Sequence, residues 1–228
     1  MVAKTPIMNL AVIIPTLNAC ETLPATLASL GNDSAIIVAD GGSTDGTVET
    51  AQAACAGVVG SAAGRGTQLI AGATAARANW FLFLHADTVL DPGWKAEVEH
   101  FTADPRNAGR AAVFRFALDD ASVAARRLER RVAWRVRHLG LPYGDQGLLM
   151  HREFYRALGG FRDWPLMEDV DLVRRIGRKR LIVLESAART SAERWRQHGW
   201  RRRSVRNLFC LSVYFLGVPP SLIARLYG

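Results

Sequence analysis

The sequence predicts an α/β fold with a mostly parallel central sheet, and three observations support this class. Short apolar segments alternate with helical segments along the first part of the chain, an order that is typical of parallel strands joined by right-handed crossovers. The run "WFLFL" at residues 80–84 is apolar throughout, as in a strand that is covered on both faces. The 228 residues are 49% hydrophobic, which is sufficient for the core of one large domain or at most two small ones.

The first half of the chain contains the most regular elements. The helix at residues 21–30 has Leu23, Leu27 and Leu30 on one face, which predicts that this face packs on the sheet. The helix at residues 66–78 is rich in alanine. The other elements predicted here are strands at residues 10–14, 35–39, 58–61 and 80–84 and a helix at residues 47–56.

After Pro92 the pattern is less regular. Residues 122–139 predict a basic amphipathic helix. Its apolar side consists of Leu128, Val132, Val136 and Leu139. The other elements predicted here are strands at residues 111–118, 147–151 and 181–184 and helices at residues 152–158 and 170–177.

Arginine dominates the charge of the protein. The formal net charge is +8 and the sequence pI is about 10.1, and arginine is concentrated at residues 126–137 and 189–206. Such a balance favours an anionic partner, such as nucleotide phosphates, a membrane surface or nucleic acid.

The cysteines and the N-terminus predict a cytoplasmic protein. Cys20, Cys55 and Cys210 are odd in number, lie far apart and form no CxxC pair, which is not the pattern of a disulfide framework or a zinc site. The apolar stretch at residues 10–14 is too short for the core of a signal peptide and runs into Pro15. No run reaches the roughly eighteen apolar residues that a spanning helix needs.

Aspartates follow two of the predicted strands. Asp40 ends the strand at residues 35–39, and Asp87 follows the strand at residues 80–84. Ligands in open α/β sheets bind outside the carboxyl ends of the strands, so both carboxylates are candidates for contact with a ligand or a metal. Turn and helix-cap chemistry explains the same residues, and both interpretations remain open at this point. No Walker lysine and no GxGxxG motif is present, so neither a P-loop nor a dinucleotide site is predicted.

Several short motifs follow one another along the chain in a fixed order. They are "IPTLN" at 14–18 with Glu21, "ADGGSTDGT" at 39–47, "GRGTQLIAGATAA" at 64–76, "HAD" at 85–87, "GDQGLLMHR" at 144–152 and "MEDVDLVRR" at 167–175. With these motifs the sequence resembles the family 2 glycosyltransferases of the GT-A fold, and the resemblance spans roughly residues 10–206. It implies a Rossmann-like sheet and the inverting transfer of a sugar from a UDP- or GDP-linked donor to a hydroxyl acceptor, such as a lipid or cell-envelope glycan precursor.

The resemblance implies a nucleotide pocket and a divalent cation. Asp40 is expected to hydrogen-bond the base or the ribose, and Arg65 to contact the nucleotide. Asp87 is expected to hold Mg²⁺ or Mn²⁺ against the diphosphate, and also to line the nucleotide pocket; a hard carboxylate suits these cations. His85 stands where the family has the first Asp of its DxD motif, and either metal ligation or packing is expected of it. The other residues that the resemblance assigns to the nucleotide are Pro15, Thr16, Glu21, Gly64 and Ala86.

The resemblance also implies a catalytic base in the ED motif. Asp169 is expected to deprotonate the acceptor hydroxyl with Glu168 in support, and Asp171 is expected to face solvent. The alternative is that Glu168 and Asp169 are first-turn acids that the helix dipole favours. Four further residues are assigned to the acceptor, the diphosphate or the metal site, namely Asp145, Gln146, Arg194 and Trp195.

The C-terminus predicts a separate segment. We expect a catalytic domain at residues 1–206 and an apolar helical segment at residues 207–228, which Pro219 and Pro220 interrupt and which is too short to span a bilayer. With the arginines before it, this segment predicts docking on an anionic membrane surface, a homodimer contact or ordinary core packing. Docking would make the protein peripheral at the inner face of a membrane.

Two other functions share parts of this pattern. A sugar nucleotidyltransferase would use the same sheet and metal, but is expected to carry a glycine-rich loop with a basic residue after the first strand, where this chain has residues 15–18. A nucleic-acid-binding protein would explain the arginines, but no recognised binding motif is present, and acidic strand ends would repel phosphate without a metal. We therefore expect no nucleic acid partner.

Overall fold

The computed structural model describes residues 9–31 and 34–227, except for the side chains at positions 194, 198 and 227. The strands are β1 (Leu10–Thr16), β2 (Ala35–Asp40), β3 (Gly57–Gly60), β4 (Trp80–Phe83), β5 (Thr88–Leu90), β6 (Ala111–Leu118), β7 (Leu148–His151) and β8 (Leu181–Thr190). The helices are α1 (Leu23–Leu30), α2 (Thr47–Ala53), α3 (Arg65–Ala75), α4 (Trp94–Ala103), α5 (Val123–Leu139), α6 (Arg152–Ala157), α7 (Glu168–Ile176), α8 (Glu193–His198), α9 (Trp200–Phe215) and α10 (Pro220–Tyr227).

The strands form one mixed sheet in the order β3-β2-β1-β4-β7-β6-β8-β5. β1 to β4 pair in parallel, as the alternation of strands and helices predicts. β7 runs antiparallel to both β4 and β6, whereas β6 and β8 are parallel and β5 is antiparallel to β8. The α/β class is confirmed, with antiparallel pairings at β7 and at the β5 edge.

The reversal at β7 brings several loops to one edge of the sheet. Phe83, the last residue of β4, pairs with Leu148, the first residue of β7. The chain that leaves β4 and the chain that enters β7 therefore lie side by side. Because β6 and β8 run opposite to β7, their carboxyl ends reach the same edge, which we call the site edge.

Alternating side chains divide the core between the two faces of the sheet. Val12 and Leu82 point to the face that α1 and α4 cover, where Leu23 and Trp94 are buried. Ile13, Phe81 and Phe83 point to the other face and pack with residues of α3, α6 and α7. This period of two is the pattern of a sheet that is covered on both sides.

Several predicted elements agree closely with the structure. The strand at residues 111–118 is β6, and the predicted basic helix is α5, which begins after Ser122. Ser122 Oγ accepts a hydrogen bond from the Ala125 amide at 3.2 Å and caps the helix. Val132 and Val136 are buried as expected, but Leu139 is 52% exposed because it lies in the last turn of the helix.

The prediction missed β5, α4 and the short helix α8, and it made β8 too short. β5 has only three residues and gives little periodic signal. α4 does carry one, because Trp94, Val98 and Phe101 share a buried face. β8 extends past the predicted residues 181–184 to Thr190, since its polar second half pairs with β6 and β5.

The C-terminal helices pack on α7. The expected boundary between residues 206 and 207 falls inside α9, which is continuous across it. Tyr214 of α9 and Ile223 of α10 are buried in one cluster with Met167 and Val170, at the start of α7. The guanidinium carbon of Arg174 also lies 5.5 Å from the centroid of the Tyr214 ring. Within the described part of the chain, no helix has the length and apolar character needed to cross a membrane.

Gly72 shows how closely α3 approaches β1, because a β-carbon at this position would overlap Ile13 Cγ2. We expect Gly72→Ala to lower the free energy of unfolding by about 1–3 kcal/mol through overpacking. This loss should exceed the gain of about 0.5–1 kcal/mol that alanine brings to a helix. Urea denaturation measures the change. In the Ile13→Ala background the overlap is absent, so the same substitution should stabilise; destabilisation there would contradict this packing.

Candidate functional site

A cavity of about 150 Å³ lies at the site edge. Segments that are distant in sequence form its wall: the start of α3, the loop after β4, the loop before β7, the start of α7, the end of β8, and helices α8 and α9. The lining residues are Arg65, His85, Asp87, Tyr143, Gly144, Asp145, Leu166, Met167, Asp169, Val170, Thr190, Ser191, Trp195, Arg203, Asn207 and Cys210.

The cavity brings together only part of the predicted site. Six of the predicted residues line it, namely Arg65, His85, Asp87, Asp145, Asp169 and Trp195. The residues predicted to bind the nucleotide from β1 and β2 lie outside its wall, at the carboxyl ends of these two strands and in the turn before α1. Glu168 and Gln146 are buried behind the cavity. The side chain of Arg194 lies outside the described residues.

Asp40 organises the loop after β2. Its Oδ1 accepts hydrogen bonds from Thr16 Oγ1 at 2.9 Å and from Ser43 Oγ at 2.5 Å. Its Oδ2 accepts hydrogen bonds from the amides of Gly42 and Ser43 at 2.9 and 2.8 Å. Burial alone would raise the pKa of Asp40, but these hydrogen bonds, led by those from Ser43, hold the pKa below its ordinary value. Asp40 is therefore an ionised anchor for the glycine loop, and its contact with a nucleotide stays a prediction.

The loop after β1 is tied to the loop after β2. Asn18 donates its amide hydrogen to Ser43 Oγ at 2.9 Å and accepts one from the Thr44 amide at 2.9 Å. Gln68 of α3, which the sequence analysis did not single out, donates from Nε2 to the carbonyl oxygens of Thr16 and Ala39. Hydrogen bonds of Thr16, Asn18 and Gln68 thus hold the ends of β1 and β2 together.

The other predicted nucleotide residues differ in exposure. Pro15 is half-buried, and Glu21 is exposed in the turn before α1 instead of inside the helix. Ala86 is half-buried, and its carbonyl oxygen accepts a hydrogen bond from Thr26 Oγ1 at 2.9 Å. Gly64 precedes α3 with a φ of 143°, a conformation that favours glycine.

The two acids of the ED motif lie in different environments. Glu168 is fully buried, and its Oε1 lies 3.4 Å from Arg65 Nη1. Burial and, next, the charge of Asp169 raise the pKa of Glu168 to about 7, against the opposing effect of Arg65. Asp169 is half-buried and lines the cavity, and its Oδ2 accepts a hydrogen bond from the Gly144 amide at 2.7 Å.

Asp171 was expected to face solvent, but its side chain is largely buried in ion pairs. Its Oδ2 lies 2.5 Å from Arg175 Nη2 and 3.5 Å from Arg162 Nε, and its side chain is only 14% exposed. It does not line the cavity, because two positions along a helix turn it away from Asp169.

Neighbouring residues of the loop before β7 have separate roles. Asp145 lines the cavity, and one of its carboxylate oxygens is buried without a hydrogen-bond partner. Burial raises the pKa of Asp145 to about 6; the charges of Asp169 and Asp87 add to this, while Arg135 and Arg65 oppose it. The amide of the adjacent Gln146 points the other way.

Gln146 and Arg135 support this loop from outside the cavity. Gln146 donates from Nε2 to the Phe114 carbonyl oxygen at 3.0 Å and is only 2% exposed. The guanidinium carbon of Arg135, from α5, lies 3.4 Å from the centroid of the Tyr143 ring. Arg135 was missed because sequence periodicity does not distinguish it from the other arginines of α5.

His85 and Asp87 are the residues that could hold a metal ion. Among residues 9–31 and 34–227, no three His, Cys, Asp or Glu side chains come together in a way that could hold a metal without other ligands. Mg²⁺ and its relatives are usually bound by one or two carboxylates plus substrate phosphates and water. The two side chains therefore fit a cation whose coordination shell a diphosphate completes.

α9 contributes cavity residues that the sequence analysis missed. Arg203, Asn207 and Cys210 line the wall from one side of this helix. Trp195 of α8 stacks on Trp200, with 5.8 Å between the ring centroids. The guanidinium carbon of Arg203 lies 5.0 Å from the Trp195 ring. The spacing of residues 203, 207 and 210 could have indicated a shared helix face, but not that this face meets the cavity.

Comparisons with known proteins agree with this architecture. The sequence profile of glycosyl transferase family 2 matches residues 11–157. The structure of S. aureus TarS 1-349 is similar with 14% identity and a TM-score of 0.62, over 81% of this chain and 61% of that one. The same TarS fragment in complex with UDP has 15% identity and a TM-score of 0.60, over 81% and 60% of the two chains. This chain thus spans less than two thirds of the length of either.

A third similar structure contains a metal and a nucleotide. It is glucosyl-3-phosphoglycerate synthase from Mycobacterium tuberculosis in complex with Mn²⁺, UDP and glucosyl-3-phosphoglycerate. The identity is 18% and the TM-score is 0.58, over 87% of this chain and 78% of that chain. These similarities confirm the expected fold. No curated protein sequence matches this chain.

The buried Glu168 predicts a pH dependence of stability. The unfolded chain releases this proton near pH 4.5, whereas the folded protein keeps it until about pH 7, so the contribution of Glu168 to stability is lost as pH rises through this window. We expect Glu168→Gln to gain stability relative to the wild type between these pH values. Urea unfolding of both proteins at pH 5, 6, 7 and 8 measures the difference. A difference that is constant over this range would contradict the raised pKa.

Proposed function

The chain belongs to glycosyl transferase family 2, and from this premise we propose that it is an inverting, metal-dependent glycosyltransferase that moves a sugar from a UDP- or GDP-linked donor to a hydroxyl acceptor. The observation that carries the proposal is the cavity at the site edge. Two candidate metal ligands, His85 and Asp87, and a candidate base, Asp169, line this one space although they come from separate segments. Metal-assisted transfer needs both groups within reach of one substrate.

The donor nucleotide would lie along the loops after β1 and β2. Asp40 would contact the base or the ribose, and the frame built by Thr16, Asn18 and Gln68 keeps its loop fixed. Arg65 is at the border between these loops and the cavity, where the phosphates would arrive. Pro15, Glu21, Gly64 and Ala86 would complete the nucleotide site. Because UDP is bound in two of the similar structures, UDP-sugars are the first donors to test.

The cation would be held by Asp87 and His85, together with the donor diphosphate. When bound, it supplies positive charge that stabilises the departing diphosphate. Arg65, which also lines the cavity, adds a further positive charge. Asp145 and Trp195 line the remaining wall, where the acceptor would lie, and Gln146 supports Asp145 from behind. Arg194 stays a candidate for the diphosphate.

Asp169 would act as the base. It lines the cavity, and the Gly144 amide orients one of its oxygens. Glu168 has a raised pKa and keeps its proton below about pH 7, so Glu168 and Asp169 do not both carry a negative charge there. Of the two acids, Asp169 is the one that would face the substrate. Asp169 would accept the hydroxyl proton as the acceptor oxygen attacks the anomeric carbon.

A screen for donors tests the reaction class. The protein is incubated with labelled UDP-sugars, GDP-sugars and nucleoside triphosphates in the presence of Mn²⁺. Sugar release or transfer supports the proposal. Formation of pyrophosphate from a triphosphate would instead indicate a nucleotidyltransferase, and inactivity with every nucleotide sugar would contradict the proposal.

Asp169→Asn should lower turnover by about a hundredfold to ten-thousandfold, the usual contribution of a general base. Affinity for UDP or GDP with Mn²⁺ should survive, because the amide keeps the size and polarity of the side chain. Calorimetry measures the affinity, and the donor that the screen identifies serves for turnover. Asp171→Asn is the matched control, since this side chain pairs with Arg175 away from the cavity. A fully active Asp169→Asn, or an inactive Asp171→Asn, would refute the assignment.

The proposal includes a peripheral position on an anionic membrane, because α9 is apolar on two sides. One side carries Cys210, Leu211 and Tyr214, which are buried in the cluster with α7. The opposite side exposes Leu208 by 64% and Phe209 by 52%. Other exposed apolar residues of α9, the turn after it and α10 are Val205, Phe215, Leu216, Leu222 and Leu226. An apolar surface of this kind is typical of an interaction site.

Charge favours lipid over a second copy of the chain. Residues 200–227 contain five arginines and no Asp or Glu. Arginine next to Leu and Phe on an amphipathic helix is the composition that binds anionic lipid interfaces. In a symmetric homodimer the same face would meet itself, and the arginines of the two copies would repel each other.

Vesicles test this surface. The wild type should co-sediment with acidic vesicles at low salt and should be released as salt screens the arginines. The double variant Leu208→Ser/Phe209→Ser should bind more weakly, because it lacks two side chains that would enter the interface. Val183→Ser, which changes an exposed apolar residue of β8, is the control and should bind like the wild type. Equal binding to neutral and acidic vesicles would exclude the electrostatic part, and a dimer that the double variant abolishes would favour the second copy.

A further inference from the structure

Gly144 contacts two of the residues that line the cavity with it. Its amide donates a hydrogen bond to Asp169 Oδ2 at 2.7 Å. Its α-carbon faces the imidazole of His85 so closely that a β-carbon added there would lie 2.5 Å from His85 Nε2 and 3.2 Å from Cε1. One residue therefore lies between a candidate metal ligand and the candidate base.

The backbone conformation of Gly144 does not itself require glycine. The glycines with positive φ include Gly140 and Gly147, at the two ends of the loop before β7, but not Gly144. Gly144 begins a short 3-10 turn in a conformation that alanine also adopts. What a side chain would meet here is the imidazole of His85, so alanine at this position would displace the imidazole by about 1 Å.

The loop around Gly144 is held firmly enough to act as a spacer. Arg135 packs on Tyr143 and donates from Nε to the Leu141 carbonyl oxygen at 2.8 Å. On the other side, Gln146 is bonded to β6 through the Phe114 carbonyl oxygen. Thr190 Oγ1, at the end of β8, lies 3.4 Å from the Asp145 carbonyl oxygen. A loop that is fixed on three sides transmits a displacement to its contacts.

We propose that Gly144 is a positioning residue for the transfer reaction, which sets the spacing between His85 and Asp169 by its amide and by its lack of a side chain. The inference rests on the proposed function, because the spacing matters only if a metal-bound donor and a base act on one substrate. A misplacement of about 1 Å in such a site can cost about a hundredfold in rate. The role is indirect, since Gly144 acts through Asp169 and His85.

Gly144→Ala tests the inference. Turnover per folded molecule, measured well below the melting temperature, should fall about tenfold to a hundredfold. A merely structural role would lower the melting temperature and leave this turnover unchanged. Gly109→Ala is the matched control, because it makes the same chemical change at a glycine with ordinary φ and no atom within 4 Å of the added β-carbon. This control should match the wild type in turnover.

A double-mutant cycle on thermal stability tests the spacing without any substrate. Gly144→Ala should lower the melting temperature of the wild type but not that of His85→Ala, in which the imidazole is absent. An equal loss in both backgrounds, or wild-type turnover of Gly144→Ala, would overturn the proposal. A wild type that is inactive with every nucleotide sugar would be the failure of the proposed function, and this result is distinct because it does not depend on Gly144.

Discussion

Antiparallel pairing of β7 with β4 is the interaction on which the cavity depends. It joins the end of one strand to the beginning of the other, with Phe83 opposite Leu148. In a wholly parallel sheet, the chain that enters a strand lies at the opposite edge from the chain that leaves its neighbour. The reversal brings Gly144 and Asp145 to the edge where Asp87 lies, and the hydrogen bond from Gly144 then connects this edge to α7.

The charges of the cavity contrast with those of the whole protein. The chain has a net charge of +8, yet Asp87, Asp145 and Asp169 share one small space. Burial and the charges of neighbouring carboxylates raise the pKa of Asp145 and of Glu168, which is next to Asp169 in the chain. Nearby arginines only partly compensate this unfavourable environment. A cation would relieve this repulsion, and the basic surface outside would attract an anionic donor. The two features support the same proposed reaction.

The C-terminal helices connect the stability of the protein with its proposed activity. α9 and α10 bury Tyr214 and Ile223 against the two residues, Met167 and Val170, that flank the acids of the ED motif. The same helix, α9, supplies Arg203 and Asn207 to the cavity and leaves a second apolar side exposed. The match to the family profile ends at residue 157, before α7 and these two helices.

The sequence by itself determined the elements that have a strong local pattern, such as the strand at residues 111–118, and the acids that follow the strands. These follow from period, composition and motif order, which are local properties. Only the tertiary structure decided that Asp145 faces the cavity while Gln146 is buried behind it, that Asp171 pairs with Arg175, and that Arg135 supports the site. α9 shows the physical reason. Both of its sides are apolar, so the sequence pattern predicts a helix but does not indicate which side is buried. Packing on α7 decides which side meets the cavity.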